Sequence, residues 1–443
     1  MRKIERRAWI CLMLAAVLFA GVTLYVYRFV TKGDAWAMQY FNRHVYTDGH
    51  LALGKIYDRD GDLLADNTGD KIKYSDDYVT RYATSQVVGD GGGFVWTGAE
   101  TAFKDKLVGY SLMTGTYNTK PEGNDITLSI DADICKAAYS ALGSYDGLVA
   151  VYNYKTGQVL CMTSTPSFDP LSPPSAKDAK EGTFMNKFLS GNMTPGSIFK
   201  LVTSAAAIET IPRSELNNFR FNCDGVHVIN GQKIRCAGVH GRLDFKGALA
   251  QSCNGAFAEL SIRIGPKKMK EYTEKCGLEK IYKMDGIINQ PGVFEFPKDK
   301  VSLAWAGIGQ WKDYLNPCSM LVYLSAIAND GVAVKPKMLA TSDNVSKTGR
   351  MIDEKTARRL RRMMKNNVKS NYGESNFPGL DIYAKSGTGE VEGKKPNAWF
   401  AGFIRNKNCP YAFIVCVEDS GFGSEVAGPV ANTVMQAAVQ RGK

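Results

Sequence analysis

At 443 residues, with 44% hydrophobic content and 21 tyrosines, the chain can bury two or three cores, which excludes a disordered polypeptide. The formal net charge of +11 suits an anionic lipid surface or an anionic polymer, but no Lys/Arg stripe with interleaved aromatics points to nucleic acid. Ten cysteines are ordinary usage for this length.

Ala8 to Tyr27 carries no charge and is long enough to cross a bilayer as a helix. Arg2, Lys3, Arg6 and Arg7 precede it, so the positive-inside rule places the N-terminus in the cytoplasm and the remainder outside, as a single-pass plasma-membrane protein. Cleavage as a signal peptide is the competing reading. Ala35-Trp36-Ala37 has the small-x-small form, but it lies well past an apolar run already too long for a signal core, so a retained anchor is expected. The predicted organisation is a tail over 1–7, an anchor over 8–30, a small mixed unit over 34–145 and a larger unit over 146–443.

Within the small unit, Lys55 to Leu64 reads as strand, Asp-Gly turn, strand. Gly89 to Gly93 is a glycine-rich loop without the Lys-Ser/Thr of a phosphate loop. Asp125–Asp131 alternates like a strand and Asp133–Leu142 like a helix. In the larger unit, Leu148–Tyr154 and Gln158–Ser164 form a hairpin, followed by a Pro-rich loop. A Pro-Gly pair then gives way to a helix from Ser197 to about Thr210. Phe219–Cys236 reads as a hairpin turning near Asn230-Gly231. Helices are predicted around Leu249–Ile264, Lys267–Cys276, Cys318–Ala328 and Glu354–Val368. Strands follow at Ile382–Lys385, Ala398–Ile404 and Tyr411–Val417, then a last helix over Gly428–Val439. Helices between two blocks of strand predict an α/β or α+β layered domain with an antiparallel sheet.

Ser197 and Lys200 stand almost one helical turn apart and so project from one face. A hydroxyl beside an amine is a nucleophile beside a base, provided burial lowers the amine's pKa. A bare Ser-x-x-Lys also arises by chance, as a helix cap with a surface Lys, so it must be weighed with its companions. Ser-x-Asn occurs at Ser190, Ser252 and Ser342. Only Ser252-Cys253-Asn254 breaks between two helical runs, where polar side chains can turn into a cleft. Lys-Ser/Thr-Gly occurs at Lys155, Lys347 and Lys385. The first sits at a hairpin tip, and the second follows Ser342-Asp343-Asn344 too closely to build an opposite wall. Lys385-Ser386-Gly387-Thr388 ends a strand, and an edge strand can offer backbone N–H groups to a substrate.

The ordered set Ser-x-x-Lys, Ser-x-Asn, Lys-Ser/Thr-Gly resembles that of the penicillin-recognising enzymes, and the chain is similar to the class B penicillin-binding proteins in a short form. The likeness extends to Gly54–Gly61, Leu148–Pro170 and Ala398–Phe403. It implies a penicillin-recognising serine transpeptidase fold, an antiparallel sheet flanked by helices, with an N-terminal transmembrane helix and a small mixed α/β N-terminal domain. The implied activity is D,D-transpeptidation of peptidoglycan stem peptides through an acyl-serine intermediate, with covalent binding of penicillin. Ser197 would attack the donor D-Ala-D-Ala carbonyl, Lys200 would take its proton, and Ser252 would relay a proton to the leaving amine. Asn254 would hold the peptide amide, and Lys385, Ser386 and Thr388 the terminal carboxylate. The backbone N–H groups of Ser197 and Thr388 would form the oxyanion hole.

By the same resemblance, the partners are stem peptides, lipid-linked glycan strands, β-lactams as inhibitors and a polytopic membrane glycosyltransferase met through the Ala8–Tyr27 helix. Two departures stand out: Trp311 replaces the last Gly of a Gly-Gln-Gly, which predicts an altered loop, and residues 34–145 are smaller than many relatives' pedestals. The alternatives are a D,D-carboxypeptidase, a β-lactamase-like hydrolase, or a silent scaffold of a wall-synthesis complex. No Glu-x-x-Leu-Asn of a deacylating β-lactamase lies between Asn254 and Lys385. Cys223 and Cys236 flank the predicted hairpin and could form a disulfide or remain thiols. His44, His50, His227 and His240 have no ligand-spaced companions, so neither a metal nor a cofactor is expected.

Overall fold

The computed structural model describes residues 2–37, 53–68, 71–108, 110–111, 116–117, 123–341 and 345–442. His44, His50 and the Ser342–Asn344 triplet lie outside the described residues. The apolar N-terminus is one helix, α1 (Arg2–Ala37). Its Ile4–Thr31 stretch is long and apolar enough to cross a membrane and lies exposed, which fits a single-pass anchor.

The next strands are β1 (Lys55–Tyr57), β2 (Leu63–Asp66) and β3 (Lys73–Tyr74). The Asp-Gly turn between β1 and β2 is built by Asp58, whose fully buried carboxylate accepts from the N–H groups of Asp60 and Asp62 at 2.9 Å. α2 (Tyr78–Val88), which the sequence pattern did not suggest, is capped by the Asp77 carboxylate on the Val79 N–H. In the glycine-rich loop, carboxylates of Glu100 and Asp90 accept the Gly91 and Gly93 N–H groups, so these two donors are engaged within the protein. β4 (Ile126–Thr127) pairs in parallel with β1, giving the order β3-β2-β1-β4. α3 (Ala132–Leu142) follows, capped by Asp131.

β5 (Gly147–Asn153) and β6 (Val159–Thr165) form the expected hairpin. The predicted helix at Ser197 is corrected in its first turn. Gly196–Phe199 is a 3₁₀ turn, and α4 (Lys200–Thr210) begins only at the lysine. The cysteine-flanked hairpin is also corrected. β7 (Phe221–Cys223) leaves it, while β8 (Val226–Ile229) and β9 (Gln232–Arg235) close over Asn230 and Gly231, both at positive φ. β7 pairs instead with β10 (Gly241–Leu243). The run predicted around Leu249–Ile264 splits as expected into α5 (Phe245–Ala250) and α6 (Asn254–Ile264).

Four further helices follow: α7 (Pro266–Lys275), α8 (Lys300–Ala306), α9 (Pro317–Ala328) and α10 (Glu354–Asn367). α8, which the sequence pattern did not suggest, is too short to show a helical period and is capped by the Asp299 carboxylate on the Ser302 N–H. The strands β11 (Ile382–Gly389), β12 (Asn397–Ile404) and β13 (Tyr411–Val417) precede α11 (Ala427–Arg441). β11 runs four residues further than the sequence pattern indicated, through Ser386-Gly387-Thr388-Gly389.

The large sheet is antiparallel throughout, in the order β11-β12-β13-β5-β6. β12 and β13 are buried at every residue, because helices lie against the sheet (α3 and α11 in one group, α9 and α10 among the others). β11 is the open edge, and α9 is buried along its whole length beneath the sheet. Layers and edge together leave β11 facing the 3₁₀ turn Gly196–Phe199 that precedes α4.

Candidate active site

The Ser197 turn is pressed against the edge strand by glycines. Gly196 sits at φ +54°, donates its N–H to Gly309 O at 2.9 Å, and would place a Cβ 2.2 Å from Thr388 O. Gly389 approaches Thr194 O as closely, and the Trp399 indole N–H donates to that same oxygen at 3.0 Å. Ile198 and Phe199 are buried anchors, Phe199 stacking on Phe294. Residues three apart eclipse in a 3₁₀ turn, so Ser197 and Lys200 align more closely than they would on an α-helix. Lys200 Nζ lies 3.0 Å from Ser197 Oγ.

Lys200 is fully buried. Its amine also lies 2.6 Å from Ser252 O, 2.6 Å from Asn254 Oδ1 and 3.3 Å from Ser252 Oγ. Burial pushes the amine down to about 7, against a smaller upward pull that Cys253 and Cys236 exert as thiolates. A neutral amine has two N–H donors and one lone pair. The carbonyl oxygens of Ser252 and Asn254 can only accept, and at 2.6 Å they take both donors. The lone pair is then left for the Ser197 hydroxyl proton.

Ser252 stands in the break between α5 and α6 at φ +51°, a conformation a non-glycine residue rarely adopts. Its hydroxyl also accepts from Lys385 Nζ at 3.0 Å. Asn254 holds Lys200 with its carbonyl and donates its amide to Arg235 O at 2.7 Å. Lys385 is fully buried, and burial followed by repulsion from the Lys200 amine lowers its pKa strongly. Its second contact is Ser386 O at 2.7 Å, so its amine stands behind Ser252 rather than on the open cleft.

The cleft has a volume of about 440 Å³ and is lined by Ser197, Ser252, Asn254, Ser386, Gly387 and Thr388, among others. The three predicted motifs therefore converge, separated in sequence but joined through Lys200 and Ser252. A slightly larger groove of about 490 Å³ near Asp62, Asp77 and Lys136 contains none of these motif residues. The decoys stay away. Lys155-Thr156-Gly157 is the β5–β6 turn, Asn192 donates to Pro291 O, and Lys347 bridges to Val334.

Two residues at the site escaped the motif reading. Gln310 donates its side-chain N–H to Thr388 O at 2.8 Å and accepts from the Glu390 N–H at 3.2 Å, clamping the free edge of β11 as a neighbouring strand would. The loop doubted on account of Trp311 keeps this clamp because Gly309 takes the positive φ, +79°, while Trp311 points outward at 38% exposure. Tyr372, in the π-turn Val368–Tyr372, accepts from the Ser386 N–H at 2.9 Å, and its hydroxyl lies 3.0 Å from Ser386 Oγ. No local pattern marks it.

The cysteines and histidine of this region meet at one place. Cys223 and Cys236 meet, their sulfurs 3.7 Å apart, as free thiols. Cys253 Sγ lies 3.8 Å from Cys236 Sγ, and His240 Nδ1 3.3 Å from Cys223 Sγ. His240 thus has a companion set suited to a metal after all, assembled from three chain segments rather than one spacing.

Residues 147–436 match the model of the penicillin binding protein transpeptidase domain. The chain is 25% identical to the peptidoglycan D,D-transpeptidase PbpA of Mycolicibacterium smegmatis over 99% of both chains. It is 27% identical to the stage V sporulation protein D of Bacillus subtilis over 72% of this chain and 54% of that one. In fold it is similar to penicillin-binding protein A of M. tuberculosis, solved as a ceftriaxone acyl-enzyme complex, at TM-score 0.76 and 22% identity, covering 88% and 98% of the two chains. A D,D-transpeptidase domain from Eggerthella lenta gives 0.74 and 23%, with the same coverage. With the family model covering more than half of the chain and the three motifs gathered in one cleft, the protein belongs to the penicillin-binding protein transpeptidase family, in the class B group its motifs resemble.

Proposed function

We propose that the protein cross-links peptidoglycan as a serine D,D-transpeptidase, with Ser197 as the acylated residue. The observation that carries this is the position of Lys200 Nζ, buried and 3.0 Å from Ser197 Oγ with both N–H donors directed to carbonyl oxygens. The neutral amine takes the Ser197 proton as the hydroxyl attacks the carbonyl between the two D-Ala residues of the donor stem. The Ser197 and Thr388 N–H groups receive the developing oxyanion. Ser252, within 3.3 Å of Lys200 Nζ, passes a proton on to the departing D-Ala amine. The acyl group then moves to an acceptor amine, which releases Ser197. The hydroxyls of Ser386 and Thr388 face the cleft to hold the terminal carboxylate, with the Lys385 amine behind them. Asn254 acts first on Lys200 and Arg235, and contacts the peptide from the cleft wall.

The membrane-length apolar helix Ile4–Thr31 and the basic residues at its start support an outward-facing catalytic unit over 146–443, carried on 34–145 and anchored by 8–30, with residues 1–7 cytoplasmic. A membrane glycosyltransferase that polymerises the glycan is the partner this arrangement suits. The test uses the full chain in detergent, labelled benzylpenicillin and intact mass with peptide mapping. A stable adduct on Ser197, absent in Ser197→Ala, is expected. An adduct on another residue, or none on folded protein, would overturn the assignment. Adding a D-amino-acid acceptor then separates transfer from hydrolysis, since only a transpeptidase gives the exchanged peptide.

A further inference from the structure

Three thiols and an imidazole converge beside the Ser252 turn from three segments of the chain. Cys223 ends β7, Cys236 follows β9, His240 precedes β10, and Cys253 lies between Ser252 and Asn254. Their ligand atoms all fall within 4.8 Å of one another. The sulfur–sulfur distances of 3.7 and 3.8 Å match the edge of a tetrahedron of thiolates about a zinc ion, roughly 3.8 Å for Zn–S bonds of about 2.3 Å. A disulfide would need a separation of about 2.05 Å. Cys236 shares its contacts between Cys223 and Cys253, so pairing it with one leaves the other unpartnered. Cys223 and Cys253 are buried, while Cys236 and His240 are half-buried, and Cys236 also lines the cleft.

We propose that Cys223, Cys236, His240 and Cys253 form a Cys₃His site for zinc(II), a closed structural centre that braces the Ser252 turn. Sulfur-rich ligation selects a soft or borderline ion, and four protein ligands leave no position for substrate. On binding, the thiols lose their protons to solvent and His240 ligates as the neutral ring. The ion ties the β7–β10 ribbon and the β8–β9 hairpin to the residue between Ser252 and Asn254. Asn254 already donates to Arg235 O, next to Cys236, so ligation and hydrogen bond pull the same two segments together. Its effect on catalysis is one of positioning: it holds Ser252 at its positive φ and Asn254 on Lys200, and touches no reacting atom. Loss of the ion therefore frees the turn together with Cys236, which also lines the cleft.

The experiment is metal analysis and cobalt substitution of the full-length protein in detergent, with intact-mass thiol counting. About one zinc per chain is expected, falling by roughly tenfold or more in affinity in His240→Ala and returning in His240→Cys. Cobalt(II) should give the visible bands of a tetrahedral ion and the near-ultraviolet bands of thiolate ligation, both lost in Cys236→Ser. These spectra on the unaltered chain keep the test open if a cysteine variant fails to fold. The proposal is overturned by metal-free protein whose thiols alkylate freely. It is equally overturned by a mass two hydrogens light with a mapped Cys223–Cys236 or Cys236–Cys253 link, or by cobalt bands that survive Cys236→Ser.

Discussion

Lys385 Nζ donates to Ser252 Oγ at 3.0 Å, although the two residues are 133 positions apart. Lys200 reaches the same hydroxyl at 3.3 Å, so one serine stands between two buried amines. Lys385 thereby orients the hydroxyl of Ser252 from behind the cleft.

Lys385→Ala should slow acylation by benzylpenicillin by about 10²-fold or more, since a proton relay of this kind contributes roughly that factor. Lys385→Arg should not restore it, because the guanidinium has no room in a fully buried slot. Stopped-flow acylation with a fluorescent penicillin reads both, and near-normal rates in Lys385→Ala would remove the relay role.

Acylation should also depend on pH through Lys200. Because burial holds its amine near 7 in the folded protein, the rate should rise about tenfold per pH unit below that value and level off above it. Its facing titratable groups are Lys385, Cys236 and Cys253. The sign for stability follows from proton counts. Between about 7 and 10.5 the unfolded chain binds a proton at Lys200 that the folded chain does not, so this residue lowers stability as pH falls through that window. A flat acylation profile from pH 5.5 to 8 would mean that Lys200 does not act as the base.

Gln310 and Trp311 are neighbours with opposite expectations. Gln310→Ala releases the edge of β11 at Thr388 and Glu390, costing about 1 kcal/mol of stability and slowing acylation. Trp311→Gly removes an exposed side chain and should change stability by no more than about 0.5 kcal/mol. Thermal melts and acylation rates of the two variants decide the matter, and equal losses would refute the clamp.

Gly196→Ala forces a Cβ to within 2.2 Å of Thr388 O at a φ of +54°. A strain of about 1–3 kcal/mol is expected, together with loss of acylation as the Ser197 turn moves off the strand. A variant that melts and acylates like the parent would show that the close approach is not required.

The sequence by itself determined the local geometry. Ser197 and Lys200 share a face because three residues make nearly one turn, and Ser252 lies at a break because polar residues interrupt two apolar helical runs. The alternating and fully apolar runs likewise named β5, β6, β12 and β13, whose burial is written in their composition. Sequence context already favoured Lys385-Ser386-Gly387 over the other two triplets, and tertiary structure supplied the reason, since β11 is a sheet edge packed against the Ser197 turn. Tertiary structure alone turned the first step of the Ser197 helix into a 3₁₀ turn, where contact with β11 outweighs local propensity. The Gln310 clamp, the Tyr372 contact and the Cys223–Cys236–His240–Cys253 cluster join residues from separate segments, and no periodicity along the chain records the direction in which such side chains meet.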